Sequence, residues 1–251
     1  MEAIILDIEG TTTPLAFVKE VLFPYARAHM ESFLEARWET PEIASIVARL
    51  REQVKKDVSA GVQMPVLDIE TRDKASGLRD CMHCLLSMMD EDRKVPVLKE
   101  LQGMVWEEGY SSGSLVGQIY DDVPAMLQLW KFLGIDVYIY SSGSIAAQKL
   151  LFGNTAWGDL TGFIRGHFDT TTGNKREVSS YLKILEEIGV KDASGAVFVT
   201  DIHEEAVAAS GAGMSVALSV RPGNYELPQG HGMVTVTSMN PLTKNITVTE
   251  A

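Results

Sequence analysis

Apolar residues follow two rhythms along this chain, and the rhythms separate its elements. Short runs rich in β-branched and aromatic residues read as strands: Ala3-Ile4-Ile5-Leu6, Ile135-Asp136-Val137-Tyr138-Ile139-Tyr140 and Ala196-Val197-Phe198-Val199-Thr200. Met214-Ser215-Val216-Ala217-Leu218 and Met233-Val234-Thr235-Val236 read the same way. Elsewhere apolar residues recur at i, i+3 and i+4, the period of a half-buried helix. Val18, Val21-Leu22, Tyr25-Ala26 and Met30 form one such stripe, with Pro24 expected to kink it. A second opens at Thr40-Pro41, an N-cap followed by proline at the first helical position, and carries Ile43, Ile46-Val47, Leu50 and Val54 as far as Ala60-Gly61. Further helices are expected over 72–91, 96–108 and 121–134, then after Ser144, from Lys175 and after Asp201.

Strands alternating with helices predict an α/β fold, a doubly wound, Rossmann-like and mostly parallel sheet. A helix-only block of about 100 residues interrupts it directly after the first strand. The expected division is therefore a core of 1–16 with 117–251 and an inserted helical domain of 17–116.

Composition narrows the function classes. With 45% apolar residues in 251, the chain can bury a substantial core. A net charge of −12 argues against nucleic acid or an anionic membrane as partner. No apolar run reaches the 18 or so residues of a membrane span, and the first residues enter a strand without a signal peptide, so a cytoplasmic protein is expected. Cys81-Met82-His83-Cys84 has a redox or zinc spacing, but it falls on an apolar helical stripe and lacks a second ligand pair, which favours packing. Asn245-Ile246-Thr247 is a glycosylation sequon that is inert in such a compartment.

Candidate chemistry gathers where strands stop. The first run ends at Asp7, and ligands of open α/β sheets bind beyond the carboxyl ends of strands. Asp7 can attack phosphorus to give an aspartyl phosphate, and Glu9 can protonate the leaving oxygen and then take a proton from water. Gly10 and the hydroxyl residues after it offer amides for an anion nest. Ser141 and Ser142 follow a strand and precede a helix, whose free amides suit a phosphate. Lys175 at a helix start is badly placed for a cation unless an anion is near. Asp201 ends another buried run, so with Asp7 it places two carboxylates at one sheet edge, a hard oxygen site suited to Mg²⁺. Glu205, four residues on, can ligate or support from behind, whereas Glu204 should face away.

Asp7-Ile8-Glu9-Gly10-Thr11 after a buried strand resembles the first motif of the haloacid dehalogenase-like phosphatases. Its Glu9 form, continued by Thr12-Thr13-Pro14-Leu15-Ala16-Phe17-Val18, resembles the enolase-phosphatase (acireductone synthase) family of methionine salvage. The second motif is matched by 139–144 with 147–153, the third by Gly173-Asn174-Lys175, and the fourth by Asp201 with Glu205. Arg221-Pro222-Gly223-Asn224 resembles the family too and reads as a turn near the site. The resemblance implies an α-helical cap at 17–116. It also implies one Mg²⁺ per subunit held by Asp7, Glu9 and Asp201, phosphate binding by Ser141, Ser142 and Lys175, and a monomer. The implied reaction enolises 2,3-diketo-5-methylthiopentyl-1-phosphate and hydrolyses the enol phosphate to acireductone and phosphate; Glu9 and residues of the cap are candidates for the carbon base.

Tyr-Ser-Ser-Gly-Ser occurs twice, at 110–114 and 140–144. Only the second copy follows a strand, so Ser141 and Ser142 are taken as functional and Ser111 and Ser112 as linker. Two other readings stand beside this one. The first is a phosphatase of another small phosphorylated metabolite without the enolase step. The second is a receiver-like phospho-acceptor switch, which needs neither Glu9 nor a helical insertion and is about half as long.

Overall fold

The computed structural model describes residues 1–65, 67 and 73–243. In chain order it contains β1 (Ala3–Leu6), a π-helical segment (Phe17–Leu22), α1 (Phe23–Arg37), α2 (Pro41–Ser59), α3 (Lys74–Asp90) and α4 (Pro96–Ser111). Then follow α5 (Asp122–Phe132), β2 (Asp136–Tyr140), α6 (Ile145–Gly153), β3 (Gly166–Phe168) and α7 (Val178–Ile188). The chain continues through β4 (Ala196–Thr200), α8 (His203–Gly211), β5 (Ser215–Ser219) and β6 (Thr235–Val236).

The six strands form one sheet in the order β3-β2-β1-β4-β5-β6, and every neighbouring pair is parallel. Its middle strands β1 and β4 are buried at every residue because helices cover both faces, which is why they read as near-continuous apolar runs and not as alternation. On one face Ala3, Ile5, Tyr138, Tyr140, Ala196 and Phe198 pack with Tyr181, Ile184 and Leu185 of α7 and Ala208 and Ala209 of α8. From β1 the chain winds outward through β2 and β3, then returns to place β4 on the other side of β1. That reversal is the switch point at which doubly wound folds open a crevice. Asp7 follows β1 and Asp201 follows β4, so both stand at that reversal.

The chain divides into two compact units: Met1–Lys19 with the described residues from Gly113 on, and the insertion Glu20–Ser112. The insertion is all helix, and its own core includes Met30, Leu34, Ile43, Leu50, Leu85, Met88 and Leu101. Both cysteines lie in this core, unbridged, and burial pushes the Cys81 thiol up to about 12 and the Cys84 thiol to about 11. They are packing groups, not nucleophiles. Thr40 caps α2 by accepting from the Ile43 amide at 3.4 Å. Pro24 sits in the first turn of α1, and the π-helical segment runs directly into that turn, so the change of helix type falls beside the proline. No helix among the described residues is long and apolar enough to cross a membrane. Asn245 lies outside the described residues, as does Arg72, where a helix start was expected.

Candidate active site

The loop after β1 is built around one carbonyl. Ile8 O accepts the amides of Thr11, Thr12 and Thr13, while the Gly10 amide donates to Thr13 O at 2.8 Å. These amides are spent inside the loop, so the anion nest expected from the sequence does not form there. Gly10 has φ +69°, and a Cβ at this residue would lie 2.3 Å from Asp201 Oδ2. Glycine is required on both counts.

Beyond the strand ends Lys175 joins two carboxylates. Its Nζ donates to Asp7 Oδ1 at 2.6 Å and to Glu205 Oε2 at 2.7 Å, and all three residues are buried. Burial opposes the lysine charge, but Asp7 and Glu205 outweigh it and hold the ammonium above the usual lysine range. Rings of Tyr140 and Phe198 wall the ammonium at 5.7 and 5.8 Å. Thr200, the last residue of β4, donates to Glu205 Oε2 at 2.8 Å and lies 3.5 Å from Asp7 Oδ2. Removing the lysine would leave two buried carboxylates facing each other, a change that costs about 3–5 kcal/mol for a buried pair.

Lys175 does not begin a helix as the sequence suggests; α7 starts at Val178. The lysine is placed by tertiary contacts: Tyr181 Oη donates to its carbonyl at 2.6 Å, and Tyr140 Oη to Gly173 O at 3.0 Å. Neighbouring Asn174 is fixed by Ser180 Oγ, which donates to its carbonyl at 2.8 Å. A cavity of about 320 Å³ opens against Ser142, Thr170, Gly173, Asn174, Lys175, Arg176 and Glu205.

Asp201 is buried and its Oδ2 has no hydrogen-bond partner among the described residues. Burial, then the charges of Asp7 and Glu205, push its carboxyl up to about 7. Burial, then the charge of Asp7, opposed by Lys175, push Glu205 up to about 6. Glu204 points to solvent, as its position one residue away requires. Glu9 is half-buried in the loop after β1, beside the bridge its backbone makes with Thr13.

Ser141 is buried at the end of β2 and Ser142 is exposed beside the cavity. Two amides of the first turn of α6 are engaged within the fold: Asp169 Oδ2 accepts from Ile145 N at 3.2 Å, and Ser144 Oγ from Ala147 N at 3.3 Å. The structure thus brings Asp7, Lys175 and Glu205 into direct contact, with Asp201 next to Gly10.

Thr200 and Asp169 escape a sequence-based assignment, and the sequence places Arg221 and Asn224 only in a turn near the site, without a role. Arg221 is buried over the Tyr120 ring and donates to Asp122 Oδ2 at 2.9 Å and Thr237 O at 2.9 Å. A hydroxyl directly before a strand-end aspartate was the available signal for Thr200. Lys19 donates to Tyr225 Oη at 2.7 Å; that bond, then the charges of Tyr225, Glu9 and Asp201, hold the lysine above its usual range against a slight desolvation.

The chain is also similar to known proteins. A family model for haloacid dehalogenase-like hydrolases matches residues 1–213. A Populus trichocarpa protein named "Probable bifunctional methylthioribulose-1-phosphate dehydratase/enolase-phosphatase E1" is 48% identical over 239 residues, 94% of this chain and 46% of that protein. A Ricinus communis protein of the same name is 47% identical, over 95% of this chain and 46% of its own length. The chain thus spans about half the length of the curated relatives it matches. Among solved structures, the UTR4 protein (Unknown transcript 4 protein) of Saccharomyces cerevisiae superposes with a TM-score of 0.77 at 33% identity, covering 94% of this chain and 97% of that one.

Proposed function

The chain belongs to the haloacid dehalogenase-like hydrolases, and we propose that it is an enolase-phosphatase of methionine salvage. It converts 2,3-diketo-5-methylthiopentyl-1-phosphate to the acireductone 1,2-dihydroxy-3-keto-5-methylthiopentene and phosphate. The observation that carries the reading is the buried Asp7–Lys175–Glu205 array at the ends of β1 and β4, with Asp201 beside it. The name of the relatives supports it, and of the two activities in that name a hydrolase match accounts for the phosphatase.

In this reading the substrate first loses a proton from the phosphate-bearing carbon to a base and gains one on the adjacent carbonyl oxygen, which gives the enol phosphate. Asp7 then attacks phosphorus, an O–P bond to its carboxylate forms, and the bond from phosphorus to the enol oxygen breaks. Glu9 gives that oxygen a proton, then takes one from the water that hydrolyses the aspartyl phosphate. Ser141, Ser142 and Lys175 hold the phosphoryl oxygens and stabilise the charge that spreads over them. Glu205 orients Lys175 through the 2.7 Å ion pair. The helical insertion after β1 serves as the cap.

The residues that would hold Mg²⁺ are Asp7 and Asp201, with Glu9 in the same loop. Their oxygens are hard donors, and the buried, unpartnered Asp201 Oδ2 suits a cation. Among the described residues no three carboxylate, imidazole or thiol groups gather closely enough to hold an ion by themselves. Mg²⁺ uses few carboxylates and keeps several waters, so two aspartates fit it. When bound, the cation neutralises repulsion between Asp7 and the phosphate. The reading also takes the protein as a cytoplasmic monomer that acts on a small molecule and binds neither nucleic acid nor membrane, in keeping with its charge of −12.

Given the diketone phosphate and Mg²⁺, the protein is expected to produce an enediol with new ultraviolet absorption and to release phosphate in step. Asp7→Asn should end phosphate release without unfolding the chain. A phosphonate analogue should exchange its C1 proton with solvent deuterium. Hydrolysis of simple esters with no enediol and no exchange would reassign the protein as a phosphatase of another metabolite.

A further inference from the structure

The turn 221–224 after β5 reaches back to the loop after β1. Asn224 Nδ2 donates to Gly10 O at 2.9 Å and to Ser219 O at 3.1 Å. Ser219 Oγ donates to the same Gly10 carbonyl at 3.0 Å. Both partners of the Asn224 amide nitrogen are carbonyls, so the amide cannot be turned over without losing both bonds. Its oxygen is thereby fixed as an acceptor.

That oxygen has nothing to accept from: Asn224 Oδ1 is buried and without a hydrogen-bond partner among the described residues, as is Asp201 Oδ2. Both lie against the same residue, Gly10. A Cβ built on Gly10 would lie 2.3 Å from Asp201 Oδ2 and 2.8 Å from Asn224 Oδ1. Leaving a buried acceptor unpaired costs about 1–3 kcal/mol, so two of them against one residue, one being the strand-end Asp201 carboxylate, call for a donor within reach of both. Among the described residues no donor is bonded to either oxygen. A water carried by a divalent cation is a strong donor that needs such acceptors.

We infer that Asn224 is a positioning residue of the cation site: its amide nitrogen clamps Gly10, and its Oδ1 pairs with Asp201 Oδ2 to receive the hydration water of the metal. This rests on the reading of Asp7 and Asp201 as cation ligands. It assigns to the 221–224 turn a part in metal binding separate from its part in folding.

The test is Mg²⁺ binding to the full chain, read by calorimetry and by the Mg²⁺-dependent rise in Tm, with no substrate present. Asn224→Ala should weaken Mg²⁺ at least fivefold. Asn224→Ser, whose shorter side chain reaches neither the position of Oδ1 nor that of Nδ2 but keeps a polar group, should weaken it too. Ser219→Ala removes only a clamp on Gly10 and should leave Mg²⁺ affinity within twofold, whatever it does to the Tm of the metal-free chain. Wild-type Mg²⁺ affinity in either folded Asn224 variant would overturn the inference and leave the function standing. Equal weakening by Ser219→Ala would overturn it as well, since the clamp alone would then explain the effect. Absence of Mg²⁺ binding in the unsubstituted chain would overturn the inference together with the cation reading beneath it.

Discussion

Tyr-Ser-Ser-Gly-Ser at 110–114 ends a helix, whereas the same five residues at 140–144 end a strand and begin a helix. In the first copy Tyr110 and Ser111 are the last turn of α4, Ser112 caps it with Oγ donating to Gly109 O at 3.1 Å, and Gly113 turns the chain at φ +75°. In the second copy Tyr140 closes β2, Ser141 is buried at the sheet edge, and Ser144 is the N-cap of α6. Local propensity cannot separate them. The residues before them do: a helical stripe ahead of Tyr110, an unbroken β-branched and aromatic run ahead of Tyr140. What a serine can do here is set by the element that delivers it.

The largest expected effect tests that difference directly. Ser141→Ala with Ser142→Ala should lower kcat/KM for the phosphorylated substrate on the order of 10²-fold, by loss of hydrogen bonds to the phosphoryl oxygens. Ser111→Ala with Ser112→Ala should leave it within about twofold. Steady-state phosphate release from the two double variants decides the matter, and a reversed order would break the comparison.

The parts of the fold that the sequence makes legible are those whose neighbours repeat the same demand. β1 and β4 are covered on both faces, so every residue of each is apolar or small, and the carboxylates after them stand out by contrast. Thr40-Pro41 announces a helix start by chemistry alone. The missed features depend on distant partners. Lys175 is set three residues ahead of α7 by the hydroxyls of Tyr140 and Tyr181, neither of which marks the lysine in sequence. β3 has only three residues, too few for any period to show. The α6 amides look free from the sequence, but the carboxylate that takes one of them is Asp169, 24 residues downstream.

The two glycines of the repeat sharpen the contrast at a smaller scale. Gly113→Ala forces an L side chain into the left-handed region, at a cost of about 1–2 kcal/mol, although a Cβ there meets nothing within 4 Å. At Gly143 φ is not positive, and a Cβ would meet only Ser141 Oγ at 4.0 Å. Gly143→Ala should therefore keep or slightly raise the Tm. The tyrosines differ in the same way. Tyr140→Phe strands the Gly173 carbonyl and should cost about 1–2 kcal/mol in urea unfolding. Tyr110 Oη is buried without a partner among the described residues, so Tyr110→Phe should be neutral or stabilising.

The smallest effect concerns what holds the second copy in place. Gln148 Nε2 donates to Gly143 O at 2.9 Å and to Phe168 O at 2.8 Å, which leaves Gln148 Oε1 as the acceptor facing His167 Nδ1 at 3.0 Å. The proton of the neutral imidazole therefore belongs on Nδ1. Burial, and then the charge of Lys149, lower the His167 pKa to about 4. The folded state keeps this ring neutral through a range where the unfolded chain, with a histidine pKa of about 6.5, already takes up a proton. Its contribution to stability is thus complete above about pH 6.5 and is lost as the pH falls towards 4. Urea midpoints measured between pH 7 and pH 4 should fall with pH, and His167→Gln should flatten that fall by a modest amount. Because Gln148 joins the ring to Gly143, the same variant should also speed amide exchange at 142–144 and leave 112–114 unchanged. Equal responses at the two copies would mean that the tether through Gln148 does not distinguish them.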